Sequence, residues 1–238
     1  MIFKPNFKIY KIKNLKEDLN NKMKKTVMFI ACVVSSLSLA TQAALPSNAK
    51  LSLDKNNVKV WTYKDSNNSV LSYKSETMFD VPIEKAVALV LDLEHAPRWA
   101  PNIAKVELLS RDDKKGEFTI YMILHFPFPL KNRDMVARGK ITKDANGNIS
   151  IKNKAIIGGK AKNANYVRMT NYEGDWTFQK LGPNKVKVSN AGFADPEGAI
   201  PSSVANMFVE QMPYQMLQKM KLELAKNPKL PPLPEMLK

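Results

Sequence analysis

Between residues 58 and 193 the chain is dominated by short alternating segments separated by turn signals, and one long apolar helical stripe follows them. That distribution constrains the fold more than any single motif does: many strands share one face, and one large helix is available to cover it. The stretches Val58-Lys59-Val60-Trp61-Thr62-Tyr63 and 73–79 are rich in β-branched and aromatic residues. Asp65-Ser66-Asn67-Asn68 joins them, which predicts a hairpin. Further strands are expected at 103–111, 116–126, 133–143, 149–156, 166–181 with a break at Glu173-Gly174, and 185–193. Turn signals at Asp112-Asp113-Lys114-Lys115, Asp144-Ala145-Asn146-Gly147 and Gly182-Pro183-Asn184 make this an antiparallel meander. The polar stretch 46–57 shows no such pattern.

Two helical segments interrupt or end the strands. Asp80-Val81-Pro82-Ile83 opens the first, with Asp80 as cap, Pro82 in the first turn and Val87, Val90, Leu91 and Glu94 at helical spacing. It ends before Pro97, and a short turn at 97–102 leads into the next strand. The second covers 201–225, where Val204, Met207, Phe208, Gln211, Met212, Met216, Met220 and Leu224 form a broad apolar stripe. Pro213 falls inside it and is expected to kink it, because proline lacks the backbone N–H that a helix interior needs. Residues 227–238 form a Pro-rich tail that cannot extend the helix.

The N-terminal region carries a different signal. Lys24 and Lys25 precede an apolar run at 26–39 that is too short to span a bilayer, and Thr41-Gln42-Ala43 supplies small residues for cleavage. These features predict an export signal at 23–43, cut after Ala43, and a periplasmic or secreted protein. Residues 1–22, with six lysines, are either a basic leader or a mis-assigned start. The single cysteine, Cys32, lies inside the signal, so the mature chain has no disulfide, thiolate metal site or cysteine nucleophile. Of the 37 basic and 22 acidic residues, eight and two lie in the first 43, which leaves a net charge of +9 on the remainder. That charge is spread without an arginine-rich block, which argues against nucleic acid and leaves an anionic lipid surface or plain solubility.

Several phrases, in this order, resemble a START domain of the helix-grip superfamily. They are Pro97-Arg98-Trp99-Ala100-Pro101, Pro127-Phe128-Pro129-Leu130-Lys131-Asn132-Arg133-Asp134, Gly174-Asp175-Trp176 and Asp195-Pro196-Glu197-Gly198-Ala199-Ile200-Pro201. The resemblance covers residues 58–226 and makes 44–226 a START-like lipid-binding domain. It implies an α+β helix-grip fold: a curved antiparallel β-sheet wrapped around a long C-terminal α-helix, with an internal apolar tunnel for one lipid. It also implies a lipid ligand and a transient membrane surface as partners, and no cofactor; the chain is expected to act as a monomer. Sterol-binding members place a buried acid and arginine at positions that correspond here to Ile120 and Gly139, both uncharged, so a specific sterol-hydroxyl contact of that kind is not supported.

Strand parity gives the same wall from the residues themselves. If Ile120 faces the tunnel, so do Phe118, Met122, Leu124 and Phe126, and on the next strand Met135, Ala137 and Gly139, whose small size leaves volume. The last helix opposes them with Val204, Met207, Phe208 and Met212, and methionine adapts to ligands of varied shape. Such stripes also describe an ordinary core, which leaves an interaction module with a solid interior as an alternative. A superfamily enzyme, a cyclase or hydrolase using His125, Arg133 or Asp175, is another.

No residue is assigned a catalytic or metal-binding role. The two histidines, His95 and His125, lack a metal-ligand or triad spacing. Arg133 and Asp134 fit a structural ion pair or a turn contact at a strand start. Glu173 and Asp175 share a strand face without an evident base or nucleophile. Gly158-Gly159 lacks a phosphate-loop spacing, and the Gly198 loop is the expected tunnel entrance.

Overall fold

The computed structural model describes Leu45–Lys238. The expected basic leader and export signal, with Cys32, lie outside the described residues. Three strands open the fold: β1 (Lys50–Lys55), β2 (Val58–Lys64) and β3 (Leu71–Phe79). Helix α1 (Ile83–Leu91) follows, and then β4 (Ile103–Asp112), β5 (Glu117–Leu124), β6 (Arg133–Lys143) and β7 (Ile149–Ala155). The two-residue β8 (Val167–Arg168) precedes β9 (Tyr172–Gly182) and β10 (Lys185–Ala194). The chain closes with α2 (Ser202–Asn206), a π-helical turn (Met207–Gln211) and α3 (Met212–Ala225).

The sheet runs β1-β2-β3-β10-β9-β7-β6-β5-β4, with antiparallel pairing along this path. The expected meander therefore has one long crossing. After β3 the chain passes through α1 to the opposite edge, returns strand by strand, and pairs β10 with β3. Strand β8 pairs in parallel with Arg133 and Asp134, the end of β6 that β7 leaves free. The expected break at Glu173-Gly174 falls instead at residues 169–171, and both residues stay paired within β9.

Strand β1 lies in the polar stretch where no strand was expected. It is an edge strand with no buried residue, and its apolar alternation is limited to Leu51 and Leu53, too short to stand out in a polar stretch. Its position is set by backbone pairing and by Asn56 and Asn57, whose φ values of 53° and 62° form the tight turn into β2.

One face of the sheet is dry. Val60, Phe79, Ile151, Phe178, Val186 and Val188 are fully buried there, beneath Val87 and Leu89 of α1 and Leu217 and Met220 of α3. Helix α1 begins at Ile83 after Pro82, and exposed Asp80 makes no capping contact. The proline's fixed φ already suits the entry. The expected kink at Pro213 takes the form of the π-helical turn immediately before it. Phe208 and Pro213, five residues apart, both face inward, and the wider turn accommodates the missing N–H. The tail has no regular structure as far as a 3₁₀ turn at Glu235–Leu237, yet Leu237 is buried and Leu230, Leu233 and Met236 pack on the core.

Candidate functional site: the cavity beneath the C-terminal helix

Two lobes of one cavity lie between the inner sheet face and the C-terminal helix. They hold about 710 and 720 Å³ of atom-free space, a figure that includes space open to solvent. Tyr73, Ala100, Ile103, Met122, Tyr172 and Met216 line both lobes, which therefore adjoin. The outer lobe is closed by Phe208, Val209, Met212 and Pro213. The inner lobe reaches Trp99, Ile151, Trp176 and Asn190.

The residues expected from parity divide into groups. Met122, Leu124, Met135, Phe208 and Met212 line the outer lobe, and Phe118, Ile120 and Met122 line the inner one. Phe126 is buried at the rim, where its ring stacks on Phe208 at 4.5 Å between centroids. Ala137 is fully buried in the core, and Val204 packs against that core without lining either lobe. Met207 is half-buried and lines neither lobe, and Val209, three residues before Met212, lines the outer lobe. Gln211 is exposed. Gly139 does not leave volume: a Cβ there would fall inside the Phe118 ring, which occupies the space above the glycine.

Parity on β5 and β6 did not reveal the polar part of the inner lobe. Tyr73 Oη donates to Asn190 Oδ1 at 2.7 Å, and Asn190 Nδ2 donates to the Asp175 carbonyl at 3.2 Å. Asn153 Nδ2 donates to the Gly174 carbonyl at 2.9 Å. Gly174 lets the Tyr172 phenol lie flat against β9, since a side chain there would collide with the hydroxyl. Burial raises both phenol pKa values; that of Tyr172 is pushed up to about 12, so both are neutral near pH 7. These residues lie on β3, β7, β9 and β10, strands whose inner faces could have been listed by the same period-two count.

The ionisable candidates lie elsewhere. His125 is exposed, and Asp175 lines a polar groove on the other sheet face with Glu173, Lys152 and Lys154. Burial raises the Asp175 carboxyl, against the pull of Lys152. The His95 ring contacts Asp92 at 2.9 Å, four residues beyond the end of α1. Arg133 and Asp134 do not pair with each other. Arg133 donates to the carbonyls of Pro196 at 2.9 Å, Glu197 at 3.1 Å and Lys131, with its guanidinium 4.2 Å from the Phe126 ring. It thereby fastens the loop that enters α2. Asp134 is buried and accepts from Arg168 at 2.8 and 2.9 Å and from Tyr121 at 2.9 Å. Among the described residues, no Lys, Arg, His, Asp or Glu lines either lobe.

A family model described as polyketide cyclase / dehydrase and lipid transport matches residues 79–221. An uncharacterized protein of Pseudomonas aeruginosa is 26% identical over 175 residues, 74% of this chain and 86% of that one. Mitochondrial StAR-related lipid transfer protein 7 of Mus musculus is 26% identical over 100 residues, 42% of this chain; the match spans only 27% of that relative's length. Among solved structures, a STAR-related lipid transfer protein fragment from Xanthomonas axonopodis has a TM-score of 0.68 and 25% identity, covering 75% of this chain and 99% of that one. Human StAR-related lipid transfer protein 5 has a TM-score of 0.69 at 14% identity, over 90% of this chain and 97% of that one, a likeness of fold alone.

Proposed function

The chain belongs to the polyketide cyclase / dehydrase and lipid transport family, and from that premise we propose that it binds one lipid in the cavity beneath α3 and transfers it between membranes. The observation that carries this reading is the cavity itself: two adjoining lobes, mostly apolar, with no charged side chain on their walls. Burying a lipid chain there gains about 25 cal/mol per Å² of apolar surface removed from water. A cyclase or hydrolase needs acid and base groups facing its substrate. The groups named for that role, His125, Arg133 and Asp175, do not line the cavity. Binding without catalysis is the reading this favours.

Exchange takes place at a lipid surface through the loop 125–132. Phe128 is 97% exposed there, two residues from the Phe126 ring that stacks on Phe208 at the mouth, and Lys131 follows in the same loop. An exposed aromatic beside a lysine suits an interface with lipid headgroups. Ile157, 91% exposed, gives a second apolar tip in the neighbouring loop, which Lys131 touches through the Ala164 carbonyl. The experiment is transfer of a fluorescent lipid between anionic vesicles. We expect the natural chain to transfer it and Phe128→Asp to slow transfer at least about fivefold, with ligand affinity unchanged. No transfer by the natural chain would sink the carrier reading.

The pattern at 23–43 supports the reading that this carrier acts outside the cytoplasm, in the periplasm or secreted, where lipids must cross an aqueous gap. N-terminal sequencing of the protein expressed in a bacterial host is expected to begin at Ala44. Recovery of an uncut chain from the cytoplasm would overturn export.

A further inference from the structure

Two residues that line the inner lobe each carry a buried polar atom that the protein itself does not satisfy. Trp99 Nε1 and Asn153 Oδ1 are both buried, and neither has a hydrogen-bond partner among the described residues. Both residues line the inner lobe. Buried polar atoms are almost always paired, so two orphans in one cavity call for an explanation. In the rest of the polar wall, Tyr73 donates to Asn190, Asn190 reaches the Asp175 carbonyl, and the amide nitrogen of Asn153 is engaged by Gly174. What remains is one donor, the indole N–H, one acceptor, the Asn153 carbonyl oxygen, and the Tyr172 hydroxyl, which can serve as either.

We infer that the inner lobe receives the uncharged hydroxyl end of an otherwise apolar lipid, an inference that rests on the carrier reading. A hydroxyl both donates and accepts, so it can serve Asn153 Oδ1 and Trp99 Nε1. A carboxylate or phosphate only accepts; it would face the Asn153 oxygen with no donor of its own and with no cation on the wall to offset its desolvation. An ammonium only donates and finds no carboxylate. The apolar remainder of the ligand then extends past Met122 and Met216 into the outer lobe, toward Phe208.

The test is displacement of the neutral dye N-phenyl-1-naphthylamine from the purified chain by 1-dodecanol, dodecane and dodecanoate, which share a chain length and differ only at the end. Dodecanol is expected to displace the dye at about tenfold lower concentration than dodecane, the scale of one to two hydrogen bonds made in a dry site, and dodecanoate is expected to be the weakest. Asn153→Leu and Trp99→Phe should each cut the ratio between alcohol and alkane, read within the same variant, to below about threefold. Equal competition by alcohol and alkane in the natural chain overturns the inference without any variant having to fold. So does strongest competition by dodecanoate, or an alcohol advantage that survives in both variants. If none of the three displaces the dye, the carrier reading beneath the inference fails with it.

Discussion

At the residue scale, the most consequential charged group is one that does not touch the cavity. Asp134 is fully buried, and although burial works to raise its pKa, the hydrogen bonds from Arg168 and Tyr121 outweigh it and hold the carboxyl below its usual value. A depressed carboxylate stabilises the fold above its unfolded pKa of about 4, and that stabilisation is lost as pH falls through the lower folded value. Asp134→Asn leaves Arg168 buried without its anion, and urea denaturation at pH 7 should show a loss of about 3–5 kcal/mol. At pH 2 to 3 the gap between variant and natural chain should narrow, while a constant gap would contradict this account. The sequence made Arg133 and Asp134 conspicuous but not their partners. Arg168 lies 34 positions away on a two-residue strand, and no local pattern marks so short a pairing. Gly139 gives the converse lesson: its small size was legible, but the ring of Phe118 that fills the space belongs to a neighbouring strand and was not.

At the element scale, period-two alternation revealed β2 to β7, β9 and β10, each with several apolar or aromatic residues along the strand. It did not reveal β1, whose alternation is limited to Leu51 and Leu53. The strand order was less legible, since the pairing of β3 with β10 depends on how the sheet closes beneath the helix and not on any turn. The C-terminal stripe was read as one helix with a fixed period, and the π turn at Met207–Gln211 breaks that period; Val209, not Met207, lines the cavity. Pro213 is the physical origin of that break and makes α2 the part of the helix best able to lift from the mouth. Pro213→Ala restores the N–H and lets regular helix run through. Ligand release, followed by stopped-flow fluorescence, is expected to slow severalfold with a smaller change in equilibrium affinity. Unchanged or faster release would mean that the turn is not the hinge.

At the scale of the whole molecule, the fold follows from a simple imbalance: a long antiparallel sheet has one large helix to cover it, and the two do not fill the space between them. The apolar character of the cavity was legible in Phe118, Ile120, Met122 and the methionines of the last helix, whereas its polar inner end required strands from both sides of the sheet to be brought together. The central claim is that this space holds one lipid. Native mass spectrometry of the purified chain, with solvent extraction of the same sample, tests it most directly. The account predicts a mass increment of a single lipid on each chain, removed by extraction and reduced when Met216→Trp fills the junction of the two lobes. A chain that repeatedly comes out empty, and stays empty after incubation with lipid vesicles, would contradict it.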